Sequence, residues 1–218
     1  MKKHLLLVMT TWATLSVATI PANAAGNIEA GKTKSQACMA CHGVDGNSLI
    51  PMFPKIAGQS VSYIVKQLQD FKAKRRADLD NLGMAPMADS LNEQDRENLA
   101  AYFSSQTLKP ASSNKADLAK KGKQIYRKGQ IKESVIACVG CHGLKGAGNN
   151  KTLEFIGKAT VVEAPAIGGQ HAAYLVKQLK AFREEKRSND VGKIMRNIAE
   201  GLTDEEMDAV AEYISTLN

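Results

Sequence analysis

The 218-residue sequence predicts an all-α fold in which one helical module is used twice. Three observations predict it. A short motif occurs at Cys38-Met39-Ala40-Cys41-His42 and again at Cys138-Val139-Gly140-Cys141-His142. A longer match at one constant offset of 111 pairs Pro54 with Pro165, Gly58-Gln59 with Gly169-Gln170, Tyr63 with Tyr174, Gln67-Leu68 with Gln178-Leu179 and Phe71 with Phe182. It continues through Arg76 with Arg187, Met84 with Met195, Leu91 with Leu202 and Tyr102 with Tyr213, a self-similarity that means a duplicated unit. In both copies the apolar residues recur with the period of a helix, and no stretch reads convincingly as a strand.

The chain opens on Lys2-Lys3, an apolar run from Leu5 to Ile20, and Ala22-Asn23-Ala24. This is the pattern of a secretory signal peptide over residues 1–24, with the mature chain starting at Ala25 and destined for the periplasm. The run is shorter than the roughly 20 residues that span a bilayer, and no later stretch could span one. The remaining 194 residues sit between one domain and two by length, and the repeat makes them two. The expected boundaries are 25–106 for the first domain, 107–114 for a linker and 115–218 for the second.

Within one helical turn, positions i, i+3 and i+4 share a face. Two thiols so placed reach the two vinyl groups of a haem while the imidazole meets the iron, which is c-type attachment. A zinc half-site, a thioredoxin-like pair and a disulfide are the competing readings of a lone C-x-x-C. All four cysteines of the chain lie in the two motifs, and each pair is followed at once by a histidine. Tetrahedral zinc would need ligands from two such pairs, and a redox pair would not require the histidine twice. The motifs therefore specify two covalently bound haem c groups, held by Cys38, Cys41 and His42 and by Cys138, Cys141 and His142.

Charge has to be read with those groups included. The chain carries 29 basic and 22 acidic residues, and loss of Lys2 and Lys3 leaves 27 against 22, a formal charge of +5. Four haem propionates bring this near neutrality, which removes the case for a nucleic-acid partner that a basic chain would otherwise make.

In the first module, Pro54 lies twelve residues after His42. Its carbonyl could accept from Nδ1 of that imidazole, and an ordinary rigid turn accounts for the spacing equally well. Ser60 is a good N-cap for a helix whose stripe is Val61, Ile64, Val65, Leu68 and Phe71. The run Lys72, Lys74, Arg75, Arg76 ends that helix and reads as a solvated face. A loop with Met84 and Met87 precedes a closing helix that follows Asn92.

Thr107-Leu108-Lys109-Pro110-Ala111-Ser112-Ser113-Asn114 has linker composition. The second module repeats the first, except that its motif lies only 100 residues on, so eleven extra residues fall between His142 and Pro165. This insertion, around Asn149 to Glu163, is expected to be a surface loop. His171 aligns with Ser60, so it reads as a helix-start residue near the haem rather than a distal ligand. The helix carries Tyr174, Leu175, Leu179 and Phe182, and Lys180, Arg183, Lys186 and Arg187 echo the basic run. Arg76 and Arg187 are equivalent, and either could pair a propionate. Thr203 and Glu206 form a capping box for the closing helix.

A haem iron with one histidine needs a sixth ligand to be an electron carrier, or an open face to bind or catalyse. Met84 and Met195 match in the repeat and precede Asn92 and Thr203 by the same eight residues, so they are the expected ligands; Met87 aligns with Ile198. A thioether is a soft neutral ligand that raises the reduction potential. Gap-filling in a core is the ordinary alternative for these methionines.

With two C-x-x-C-H-G motifs, twin Pro-x-x-x-Gly-Gln segments, Tyr-x-x-x-Gln-Leu helices and Met-bearing loops, nearly all of the mature sequence resembles the cytochrome c4 family. The resemblance implies two class I cytochrome c domains related by a pseudo-twofold axis, with His/Met ligation at both irons. It also implies a monomeric carrier of electrons from a quinol-oxidising complex to a terminal oxidase, in some members loosely held at the membrane. Two other readings stand beside it: the haem subunit of a sulfur-oxidising enzyme complex, and a haem enzyme of the peroxide-reductase kind with one iron left open.

Overall fold

The computed structural model describes residues 26–77, 83–113, 115–130, 134–155 and 158–218, so the expected signal peptide lies outside the described residues. The same succession of helices occurs twice. In the first half it is α1 (Ile28–Lys34), α2 (Met39–His42), α3 (Val61–Lys72), α4 (Met84–Asp89) and α5 (Glu93–Ser104). In the second it is α6 (Ala116–Lys128), α7 (Val139–His142), α8 (Ala172–Arg183), α9 (Ile194–Glu200) and α10 (Asp204–Ser215). Each closing helix lies across the first helix of its own domain, α5 on α1 and α10 on α6, and the middle helices α3 and α8 pack on them. Among the described residues no helix is long and apolar enough to cross a membrane.

Local chemistry starts these helices where the sequence indicates. Ser60 accepts from the Tyr63 N–H, and Thr203 with Glu206 forms the expected capping box. Asn92 with Asp95 forms a second box, so both closing helices begin on the same device. The crossings depend on glycine. A β-carbon at Gly31 would lie 2.0 Å from the Asn98 carbonyl oxygen, and one at Gly122 would lie 1.9 Å from that of Ala209, the equivalent contact of the second domain. Around these seams sit two cores, one built on Leu91, Leu99 and Phe103, the other on Tyr126, Met207 and Val210.

One expectation is corrected by the insertion. Residues 149–155 and 158–164 form two antiparallel strands, β1 (Asn149–Phe155) and β2 (Lys158–Ala164), with Asn149 opposite Ala164 and Phe155 opposite Lys158. The rest of the described fold is helical, as expected, and this strand pair is an addition to the second domain. The sequence there, with Thr152, Thr160, Val161 and Val162, has the β-branched composition that favours extended backbone.

The basic runs hold the second correction. Arg76 and Arg187 are buried, 8% and 6% exposed, rather than solvated. Lys74 and Glu185, equivalent in the repeat, have φ of 57° and 54°, and these left-handed residues turn the chain back beneath the helix it has just left. Each guanidinium then lies over a phenyl ring, Arg76 on Phe71 at 4.6 Å and Arg187 on Phe182 at 4.5 Å. The two also meet between the domains in a reciprocal network. Arg76 donates to Gln67 at 2.8 Å and to Tyr174 of the other domain at 3.0 Å; Arg187 donates to Gln178 at 2.6 Å and to Tyr63 of the other domain at 2.9 Å. Each of these four partners has its repeat equivalent on the other side, which is the pseudo-twofold relation in atomic form.

Candidate haem sites

Helices α2 and α7 are single turns, each ended by a glycine with φ of 79°, Gly43 and Gly143. The turn sets Cys38, Cys41 and His42 on one face in the first domain and Cys138, Cys141 and His142 on one face in the second. All four thiols are free. Burial raises the Cys38 thiol above its ordinary value, with the neighbouring Cys41 adding to it, and burial pushes Cys138 up to about 11. These are neutral thiols, unlike the low-pKa thiolates of a redox pair. Among the described residues no three or more His, Cys, Asp or Glu side chains converge on a metal-sized point, so the two motifs do not join into a zinc site.

Both motif histidines are buried, at 7% exposure each. His42 Nδ1 lies 2.9 Å from the Pro54 carbonyl oxygen, and His142 Nδ1 lies 2.9 Å from that of Pro165. A carbonyl only accepts, so each Nδ1 carries the proton and donates, leaving the Nε2 lone pair free to bind a metal. Burial lowers the pKa of both rings, outweighing the carbonyl bond that raises it, and keeps them in the neutral, ligating form. Of the two readings of the proline spacing, the carbonyl bond is the one that forms.

Close to the motifs along the chain, apolar side chains stand open: Val44 and Leu144, which follow the two motifs at equivalent positions, are 67% and 64% exposed, and Ile50, Met52 and Ile136 are exposed too. In the second domain a cleft of about 600 Å³ lies between Ile136, just ahead of the motif, and Ile194 and Ile198, which flank Met195. Free thiols, a neutral imidazole and uncovered apolar walls together fit a flat porphyrin tethered at its edge. Such a group supplies an iron that takes up and gives back one electron.

Met84 is the first residue of α4 and half-buried, while Met87, one turn on, is exposed at 38%. Met195 is half-buried on α9 and packs against the second core, as does Cys138. Left-handed backbone precedes both: Gly83 has φ of 94°, and Gly192 and Lys193 have φ of 62° and 58°. His171 stands at the N-cap position of α8, as expected, but its side chain does not cap the helix. Its Nε2 donates to the Ser48 carbonyl of the other domain at 2.8 Å, so the ring serves the domain boundary.

Several residues of consequence went unread in the sequence. Tyr102 donates to the Val44 carbonyl at 3.0 Å, and Tyr126 donates to the Gly143 carbonyl at 2.6 Å. Both pin the chain just after a motif. Gln59 and Gln170 match in the repeat and are buried, at 8% and 7% exposure, with both amides spent across the domain boundary. Their coincidence at the 111 offset was the one available signal.

The cytochrome c family model matches residues 28–107 and again 119–218, so the class is a tandem pair of cytochrome c domains, each with its own attachment motif. Over 204 residues the chain is 44% identical to cytochrome c4 of Stutzerimonas stutzeri, covering 90% of this chain and 92% of that one. The crystal structure of reduced recombinant cytochrome c4 from Pseudomonas stutzeri superposes with a TM-score of 0.77 at 44% identity, over 89% of this chain and all of that one. A more distant relative, the thiosulfate dehydrogenase electron acceptor of Stutzerimonas stutzeri strain A1501, is 31% identical over 84% of this chain and 80% of its own. The chain belongs to the cytochrome c4 family: it is a dihaem electron carrier, which removes the reading as a haem enzyme.

Proposed function

We propose that both irons are closed on two sides, by His42 and Met84 in the N-terminal domain and by His142 and Met195 in the C-terminal domain, and that the protein shuttles electrons singly through the periplasm. The observation that carries this is the twin bond from each histidine Nδ1 to a proline carbonyl at 2.9 Å, which aims Nε2 and makes it more basic. Half-burial of Met84 and exposure of Met87 favour Met84 as the first thioether ligand. Iron closed on both sides changes valence with little ligand movement, the property a carrier needs. The domains run over 25–106 and 115–218 with 107–114 between them, following removal of residues 1–24. The carrier is a monomer that takes electrons from a quinol-oxidising complex, gives them to a terminal oxidase through small transient contacts, and associates with the membrane only peripherally.

Substituting Met84 or Met195 by Ala tests the ligands. Each variant loses one of two methionine-to-iron charge-transfer signatures and opens one haem to carbon monoxide, whereas Met87→Ala keeps both. Retention of both signatures in either of the first two variants refutes that assignment. Likeness to the thiosulfate dehydrogenase electron acceptor favours a second reading, delivery of electrons from a sulfur-oxidising enzyme. Purification of the native protein with a catalytic subunit attached would select it.

A further inference from the structure

The peptide unit joining Pro54 to Lys55 is hydrogen-bonded at both ends. Its carbonyl accepts from His42 Nδ1 at 2.9 Å, and its N–H, on Lys55, donates to Oε1 of Gln170 in the other domain at 2.8 Å. The repeat builds the mirror image. The Pro165 carbonyl accepts from His142 Nδ1 at 2.9 Å, and the N–H of the same peptide unit, on Ala166, donates to Gln59 Oε1 at 3.0 Å. Each amide also donates back, Gln170 Nε2 to the Lys55 carbonyl and Gln59 Nε2 to the Ala166 carbonyl, both at 2.8 Å. These two-point clasps fix both amides at buried positions.

We propose that Gln59 and Gln170 are positioning residues that act across the domain boundary: each sets the hydrogen bond made by the histidine of the other domain, and through it that haem's hold on its electron. This rests on the reading that His42 and His142 ligate the irons. A peptide unit is conjugated, so an acceptor at its N–H makes its carbonyl oxygen a better acceptor in turn, by about 10–30% per bond in a chain. The stronger carbonyl draws the Nδ1 proton, makes Nε2 a stronger donor to iron and stabilises the ferric form. Two domains docked as here therefore tune each other's reduction potential through two buried amides, and each haem's potential depends on its clasp being closed.

The test uses the full-length holoprotein with Gln170→Met and, separately, Gln59→Met, which keep side-chain volume and remove the bonds. The potential of each haem is followed through its own hyperfine-shifted methyl resonances, and the two histidine Nδ1 protons are observed in the reduced protein. Gln170→Met makes the N-terminal haem about two- to fourfold easier to reduce, about 18–36 mV at 59 mV per tenfold for one electron. It also shifts the His42 Nδ1 proton upfield while the His142 proton stays; Gln59→Met does the reverse. Effects confined to the haem of the substituted residue's own domain, or absent at both, overturn the proposal. Gln170→Glu and Gln59→Glu separate this from loosening of the interface. A carboxyl keeps an oxygen for the Lys55 or Ala166 N–H, so the Nδ1 protons do not move upfield as in the Met variants, and an upfield shift as large as in those variants also overturns the proposal. The ligand reading fails separately, in the wild-type protein, if a haem there shows no histidine Nδ1 proton.

Discussion

Replacing Gly122 by Ala puts a methyl group where α6 crosses α10. The new carbon would lie 1.9 Å from the Ala209 carbonyl oxygen and 2.9 Å from Val210 Cα, both backbone atoms that cannot rotate aside. Ordinary contact begins at 3.4 Å, so the helices must part by about 1.5 Å, the difference between the two distances. Ile125, Tyr126, Val210 and Tyr213 line that seam, with the two tyrosine rings 5.4 Å apart. Burial of each stabilises the fold by about 2 kcal/mol, and a gap of this width forfeits upward of a third of the contact. The loss is about 3–4 kcal/mol, and the better helix propensity of alanine returns about 1 kcal/mol. We expect Gly122→Ala to cost about 2–3 kcal/mol in guanidinium unfolding of the holoprotein followed by far-ultraviolet circular dichroism. A Gly122→Ala protein as stable as the wild type would refute the close-crossing account.

Removing the hydroxyl in Tyr174→Phe deprives the buried Arg76 of one of its two bonds across the domain boundary, the other being to Gln178 at 3.2 Å. That should cost about 1.5–3 kcal/mol in the same assay, with Tyr63→Phe doing the same to Arg187; no loss in either would mean that the network is ornamental. A bond from Lys109 holds the Asp45 carboxyl down to about 2, against an ordinary 3.8. A depressed pKa gives stability that is complete above the ordinary value and lost as pH falls through the folded one. The advantage of wild type over Asp45→Asn in thermal midpoint should therefore shrink between pH 3.8 and about 2, and a constant difference would contradict the pairing. Lys193 holds a left-handed φ of 58° at the start of α9. Lys193→Gly should relieve strain and stabilise the domain by about 1 kcal/mol, measured by unfolding, and a loss of stability would argue against strain there.

What the sequence disclosed was what depends on neighbours along the chain. Two thiols and an imidazole within one turn announce a tethered haem by themselves, and a proline twelve residues on offered a carbonyl within reach. Capping by Ser60 and Thr203 was equally local. The closing crossings were harder, since Gly31 and Gly122 sit in helices with nothing nearby to show what presses on them. Arg76 and Arg187 were misread because a charged residue among lysines has the composition of a solvated face. Only the left-handed turn at Lys74 and Glu185 sends them inward, and neither residue advertises it. Gln59 and Gln170 were visible as a matched pair yet mute, because an amide's partner in another domain leaves no mark in its own segment. The strand pair was missed for a different reason: its β-branched residues fall in an insertion with no counterpart in the first module to check against.

The most direct test of the central claim is an optical redox titration of the purified protein, with carbon monoxide added to the reduced form. The account predicts two one-electron steps, a methionine-to-iron band for each haem, and no binding of carbon monoxide at either iron. A single step, or one haem that takes up the gas and lacks the band, would contradict it.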